Sequence, residues 1–178
     1  MEQKEPNILL TRVDNRMVHG QVGVTWTKTL GANLIIVADD LAAVDILQQK
    51  LMESVALASG AKIRFFTLEH TASVIYLASE EQRIYIVVNN IHSAKVLVEK
   101  GVPIHELNLG NLHFAKGKHM VNKKVYVSDE DVEDIRYLLE QQVKIYIQDV
   151  PGDNMMKIHS AEDLGLRFVP YSSILMVR

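Results

Sequence analysis

The stretch TRVDNRMVHGQVGVTWTK, residues 11–28, gathers Arg12, Asp14, Asn15, Arg16 and His19 between an apolar run and a segment of helical period. Together these side chains suit the handling of an anion. Guanidinium groups are fixed cationic forks whose geometry matches phosphate oxygens. An unprotonated imidazole nitrogen is a nucleophile, and at phosphorus it forms a phosphohistidine that passes its group on. Asp14 is placed either to accept from the other ring N–H and fix the tautomer, or to brace the arginines. Gly20 lets the backbone approach a ligand closely. A helix opening beside it directs unpaired N–H groups and a partial positive charge at an anion. On spacing alone a plainer reading stays open, in which His19 caps the helix and the arginines lie on a solvated turn.

The other constellations are weaker. GNLHFAKGKHM (110–120) approaches a P-loop, but six residues separate Gly110 from Gly117, where that motif has four, and His119 stands where Ser or Thr would hold magnesium. No G-x-G-x-x-G follows a strand-like run. His105, His113 and His119 lack the spacing of a metal set, so no metal and no bound cofactor are expected. Lys116, Lys118, Lys123 and Lys124 read as solvated lysines rather than a docking surface. Asp39, Asp40, Asn89 and Asn90 read as helix caps. Trp26 and the Phe65-Phe66 pair read as core, and no exposed aromatic face suited to a sugar is evident.

The elements that must position the turn alternate along the chain. Strand-like runs are expected at 7–13, 32–38, 62–68, 83–89, 104–110, 123–128 and 143–150. Helices are expected at about 20–30, 39–59, 70–79, 93–100 (closed by Gly101) and 129–142. In the second of these, Val44, Leu47, Leu51, Val55 and Ala58 recur at three- and four-residue steps and are expected on the buried face, with Asp39 or Asp40 as the cap. The pattern predicts an α/β fold, an open, mostly parallel twisted sheet with helices on both faces. Sites in such sheets form at the carboxyl ends of the strands, where residues 14–20 fall. Residues 153–178 break the rhythm, and two readings stay open there: a helix with an edge strand, or an arm packed on a partner.

The chain of 178 residues is expected to form one domain, 1–178. A net charge of −3 gives no basic surplus for nucleic acid. The absence of cysteine excludes disulfides, thiolate metal sites and cysteine nucleophiles. MEQKEPNILL lacks the character of a signal peptide, and no apolar run reaches the roughly 20 residues of a membrane span, so a cytoplasmic protein is expected.

RVDNRMVHGQVGVTWTK resembles the active-site segment of the IIB components of the bacterial phosphotransferase system, mannose/fructose/sorbose family. That family's run is R-[IV]-D-[DN]-R-[LM]-[IV]-H-G-Q-V, matched here by Arg12, Asp14, Arg16, His19, Gly20, Gln21 and Val22. The likeness continues through NLIIVADD, LNLGNLHFAKGK, KKVYVSDEDV and VKIYIQDVPGD, and is closest to the N-acetylgalactosamine/galactosamine branch. It implies a phosphohistidine at His19, linked through Nδ1, that takes its phosphoryl group from a IIA protein. The group then passes to a sugar at the membrane IIC and IID components, which would place the protein at the inner face of the plasma membrane. Arg16 is implied as the residue that neutralises the phosphoryl, with Arg12 second and Asp14 orienting. Gly20, Gln21, Gly110 and Asn111 are implied as further walls of the cradle. The alternative is a regulatory or binding module on the same fold that responds to phosphorylation.

Overall fold

The computed structural model describes residues 4–20 and 22–165. Among the described residues there are nine strands: β1 (Ile8–Val13), β2 (Leu34–Ala38), β3 (Lys62–Phe66), β4 (Ile84–Val88), β5 (Glu106–Leu109), β6 (His119–Met120), β7 (Tyr126–Val127), β8 (Lys144–Ile147) and β9 (Met156–Ile158). Seven of them form one sheet in the order β3-β2-β4-β1-β5-β8-β9. All its pairings are parallel except β8 with β9, which is antiparallel. The expected open parallel sheet is therefore present, and the edge strand anticipated after residue 153 is β9. After it Ala161–Leu164 form a single 3-10 turn, and 166–178 lie outside the described residues.

The central strands are near-continuous apolar runs because both their faces are covered. Ile36, Ile86 and Val88 point to one face with Ile91, Ala94 and Leu97 of α4 (Ile91–Glu99) and Val132, Ile135 and Leu138 of α5 (Asp129–Glu140). Ile35, Val37, Tyr85 and Val87 point to the other. They meet Trp26 and, from α2 (Ile46–Ser59), Met52 and Ala56. Local chemistry starts these helices where it should. Asn90 accepts from Ser93 N at the head of α4, and Ser128 with Asp131 closes a capping box on α5.

Three expectations are corrected. The helix placed at 39–59 begins only at Ile46, capped by Asp45. Asp39 instead accepts from Leu41 N and Ala42 N in a preceding turn, and Asp40 accepts from Leu68 N. Its expected buried face is largely outside: Val44, Leu47 and Leu51 are 72%, 72% and 64% exposed. The helix rests on a narrow stripe through Met52, Val55 and Ala56, because it packs against the backbone at Gly23, where any Cβ would meet Val55. The strand at 123–128 does not join the sheet. It shrinks to β7, paired with β6 in a separate ribbon. The 70–79 helix is α3 (Leu68–Val74) followed by a 3-10 turn, Ile75–Leu77.

β1 is the fourth of the seven strands. Its outgoing chain crosses to β2 on the Trp26 face, whereas the chain leaving β4 crosses to β5 on the α4 face. Neighbouring loops thus part at the carboxyl ends of β1 and β4, which is where α/β sheets open a binding crevice.

Candidate functional site

The loop after β1 is stitched to its neighbours before any functional side chain is placed. Asp14 N donates to Val88 O at 3.0 Å and Asn15 N to Asn111 O at 2.8 Å. The Asn15 amide donates to Asn89 O at 2.8 Å, that of Asn89 donates back to Asn15 O at 3.3 Å, and His113 N donates to Asn15 Oδ1 at 2.6 Å. Met17 is buried with φ at 58°, a left-handed conformation uncommon for a side chain of its size. Such a conformation persists only where its surroundings over-determine it, and here it turns the chain back toward the site.

Asp14 is the hub. Its Oδ2 accepts from Arg12 Nη2 at 3.0 Å and from Asn111 Nδ2 at 3.1 Å, and lies 3.4 Å from His19 Nε2. Oδ1 accepts from Arg16 N at 3.0 Å. Burial alone would raise the Asp14 pKa. The bonds from His19 and Asn111, the Arg12 charge and the Arg16 N–H outweigh it and hold the carboxyl at about 2. Asp14 is therefore a fixed negative charge under the imidazole. A carboxylate so placed favours hydrogen on Nε2, the ring nitrogen that faces it. The His19 side chain is 25% exposed.

The two arginines occupy opposite environments. Arg12 is fully buried and directs its donors inward, to Asn108 Oδ1, to Gln148 O at 3.1 Å and to Asp14. Its guanidinium carbon lies 5.3 Å from the Trp26 ring centroid. The structure thus places Arg12 beneath the carboxylate rather than at the open surface. Arg16 is exposed, and its guanidinium has no side-chain partner among the described residues.

Of the further cradle residues, Asn111 reaches Asp14 directly. Gly110 serves Arg12, since a Cβ there would fall on the guanidinium. Gly20 is exposed, with φ at 31° and open space where a side chain would stand. Gln21 lies outside the described residues. The chain then enters a π-helical turn, Val22–Trp26, and a short α1 (Thr27–Leu30), in place of the uniform helix expected over 20–30. Asn15, part of the sequence cluster, anchors the loop, and Asn89 bonds Asn15 instead of capping a helix. Trp26, expected in the core, also faces Arg12, while Asn108 and Asp149 were not anticipated at the site. Asn108 alone left a trace in the sequence, as a polar residue between leucines in a buried strand.

Fold and site together define a parallel α/β protein whose first β–α loop is organised around one histidine–carboxylate pair. Residues 8–165 match the family of the PTS system sorbose subfamily IIB component. The chain is 50% identical over 153 residues to the N-acetylgalactosamine-specific phosphotransferase enzyme IIB component 1 of Escherichia coli (strain K12), covering 86% of this chain and 97% of that protein. The crystal structure of IIB component 1 from Escherichia coli superposes with a TM-score of 0.83, covering 85% of this chain and 99% of that one. The IIB domain of the sorbose permease from Klebsiella pneumoniae, 28% identical, superposes at 0.81, covering 88% and 96%. The chain belongs to the sorbose-subfamily IIB components of the phosphotransferase system. It is a phosphoryl-carrying sugar phosphotransferase component, of a family that works with IIA and membrane IIC and IID proteins. No described helix is long and apolar enough to cross a membrane.

Proposed function

We propose that His19 carries the phosphoryl group on Nδ1, taking it from a phosphohistidine on a IIA protein. It delivers the group to N-acetylgalactosamine or galactosamine at a IIC/IID complex, working from the cytoplasmic side of the membrane. The observation that carries this reading is the approach of His19 Nε2 to the ionised Asp14, which leaves Nδ1 as the free nucleophile. As the Nδ1–phosphorus bond forms, the donor's nitrogen–phosphorus bond breaks, and the His19 ring gains positive charge against the Asp14 carboxylate. On delivery the sugar hydroxyl oxygen bonds phosphorus, its proton leaves to solvent, and Nδ1 recovers its electron pair. Arg16, at the surface, meets the charge spread over the phosphoryl oxygens. Arg12 and Asn111 keep Asp14 ionised and in place, and the relay as written assigns no metal or other cofactor. The choice of N-acetylgalactosamine follows the specificity of the Escherichia coli relative.

Incubation with a phosphorylated IIA protein tests this. One acid-labile phosphate on the wild type and none on folded His19→Ala is the expected result. Equal uptake by both would overturn the assignment.

A further inference from the structure

Beside the histidine loop lies a groove of about 360 Å³ to which Arg16, Asn111, Phe114, Lys123, Lys124 and Tyr126 contribute. Asn111 ties it to the reaction centre, because the Asn111 amide and His19 Nε2 meet the same oxygen of Asp14. Among the described residues no carboxylate lines the groove. Lys124 is held by Asp149 at 3.2 Å, while the Arg16 and Lys123 side chains have no partner among the described residues. Its apolar part is equally unusual for a loop. Phe114 is 71% exposed and held edge-on by Tyr126, with ring centroids 5.7 Å apart. The exposed aromatic surface that the sequence did not reveal is here, next to uncompensated cations.

We infer that this groove binds the phosphorylated sugar as it leaves the histidine. The inference rests on the phosphoryl-carrier reading of His19 and extends it from the phosphoryl group to the sugar. The phosphate of the product meets Arg16, Lys123 and Lys124, and the C–H face of the pyranose ring packs on Phe114. A bare anion would need only the cations, and a neutral sugar only the aromatic surface and hydrogen bonds. A sugar phosphate uses both. Its size also favours a small molecule, since sites for such ligands begin at roughly 300 Å³, whereas a protein partner covers on the order of 800 Å² of surface. The consequence is that this component takes part in choosing the sugar.

The test is titration of the full, unphosphorylated chain, followed by backbone amide NMR. The ligands are N-acetylgalactosamine 6-phosphate, N-acetylgalactosamine and inorganic phosphate. The sugar phosphate is expected to shift Asn111–Tyr126 saturably with a dissociation constant on the order of 1 mM, weak enough for release. Either fragment alone is expected to bind at least about tenfold more weakly, the step that one lost contact of about 1.4 kcal/mol produces. Lys123→Ala and Phe114→Ala are each expected to weaken the sugar phosphate by a similar factor, and Lys62→Ala, on the far edge strand, to leave it unchanged. Equal binding of inorganic phosphate would make the groove a plain anion site and overturn the inference. So would an undisturbed groove with the sugar phosphate in excess. Phosphate uptake by wild-type His19, measured on the same preparation, keeps either failure separate from failure of the carrier reading.

Discussion

His19 Nε2 lies 3.4 Å from Asp14 Oδ2, and that oxygen is also held by Arg12 and Asn111. One carboxylate oxygen thus receives a buried cation, a buried amide and the edge of the reactive ring. In the proposed relay this arrangement favours hydrogen on Nε2 without placing Asp14 in contact with the transferring group. It also assigns the two arginines of the motif separate tasks, and their variants should differ in kind.

Arg16→Ala is expected to slow phosphoryl transfer about 10²-fold or more, the scale for one lost preorganised charge contact. Its stability should stay within about 0.5 kcal/mol of wild type, as for an exposed side chain outside any network. Rapid-quench transfer rates beside urea unfolding of the same variant check both halves. A rate within twofold of wild type would remove Arg16 from the reaction.

Arg12→Ala should behave oppositely. It leaves Asp14 buried without its cation, and breaking a buried pair costs roughly 3–5 kcal/mol. The same urea series reads this directly. Unaltered stability would contradict the placement of Arg12 beneath the site.

Gly110→Ala puts a methyl group where the Arg12 guanidinium lies. Overpacking of this kind costs roughly 1–3 kcal/mol, and phosphate uptake should fall with it as Asp14 loses its support. A crystal structure of the variant should show Arg12 displaced.

Asp14 ties stability to pH. Its folded pKa, about 2, lies below the ordinary aspartate value of 3.8. The depressed carboxyl therefore stabilises the fold fully above about pH 4 and loses that contribution as pH falls through 2. The shift corresponds to roughly 2 kcal/mol. Unfolding of wild type and Asp14→Asn measured from pH 6 down to pH 2.5 should show a gap that closes with acid. A gap constant across that range would refute the assignment.

The parallel sheet was legible because its central strands are unbroken apolar runs, and the histidine turn because Arg12, Asp14, Arg16 and His19 are adjacent in the chain. What the sequence hid came from other strands. Asn108 and Asp149 reach Arg12 only through the pairing of β1 with β5 and of β5 with β8. Separate tasks for the arginines follow from burial, which spacing does not encode. Helix α2 misled for a related reason. Leu47 and Leu51 have the right period for a buried stripe, but contact at Gly23 rotates the helix onto Met52 and Ala56.

The most direct measurement is a long-range ¹H–¹⁵N correlation spectrum of the histidine rings, recorded on ¹⁵N-labelled wild-type protein before and after phosphorylation by a IIA donor. Of the seven histidines, one, His19, is expected to change, with phosphorus on Nδ1 and hydrogen retained on Nε2. Phosphorylation of another histidine, or of His19 through Nε2, would contradict the role assigned to Asp14 and the account built on it.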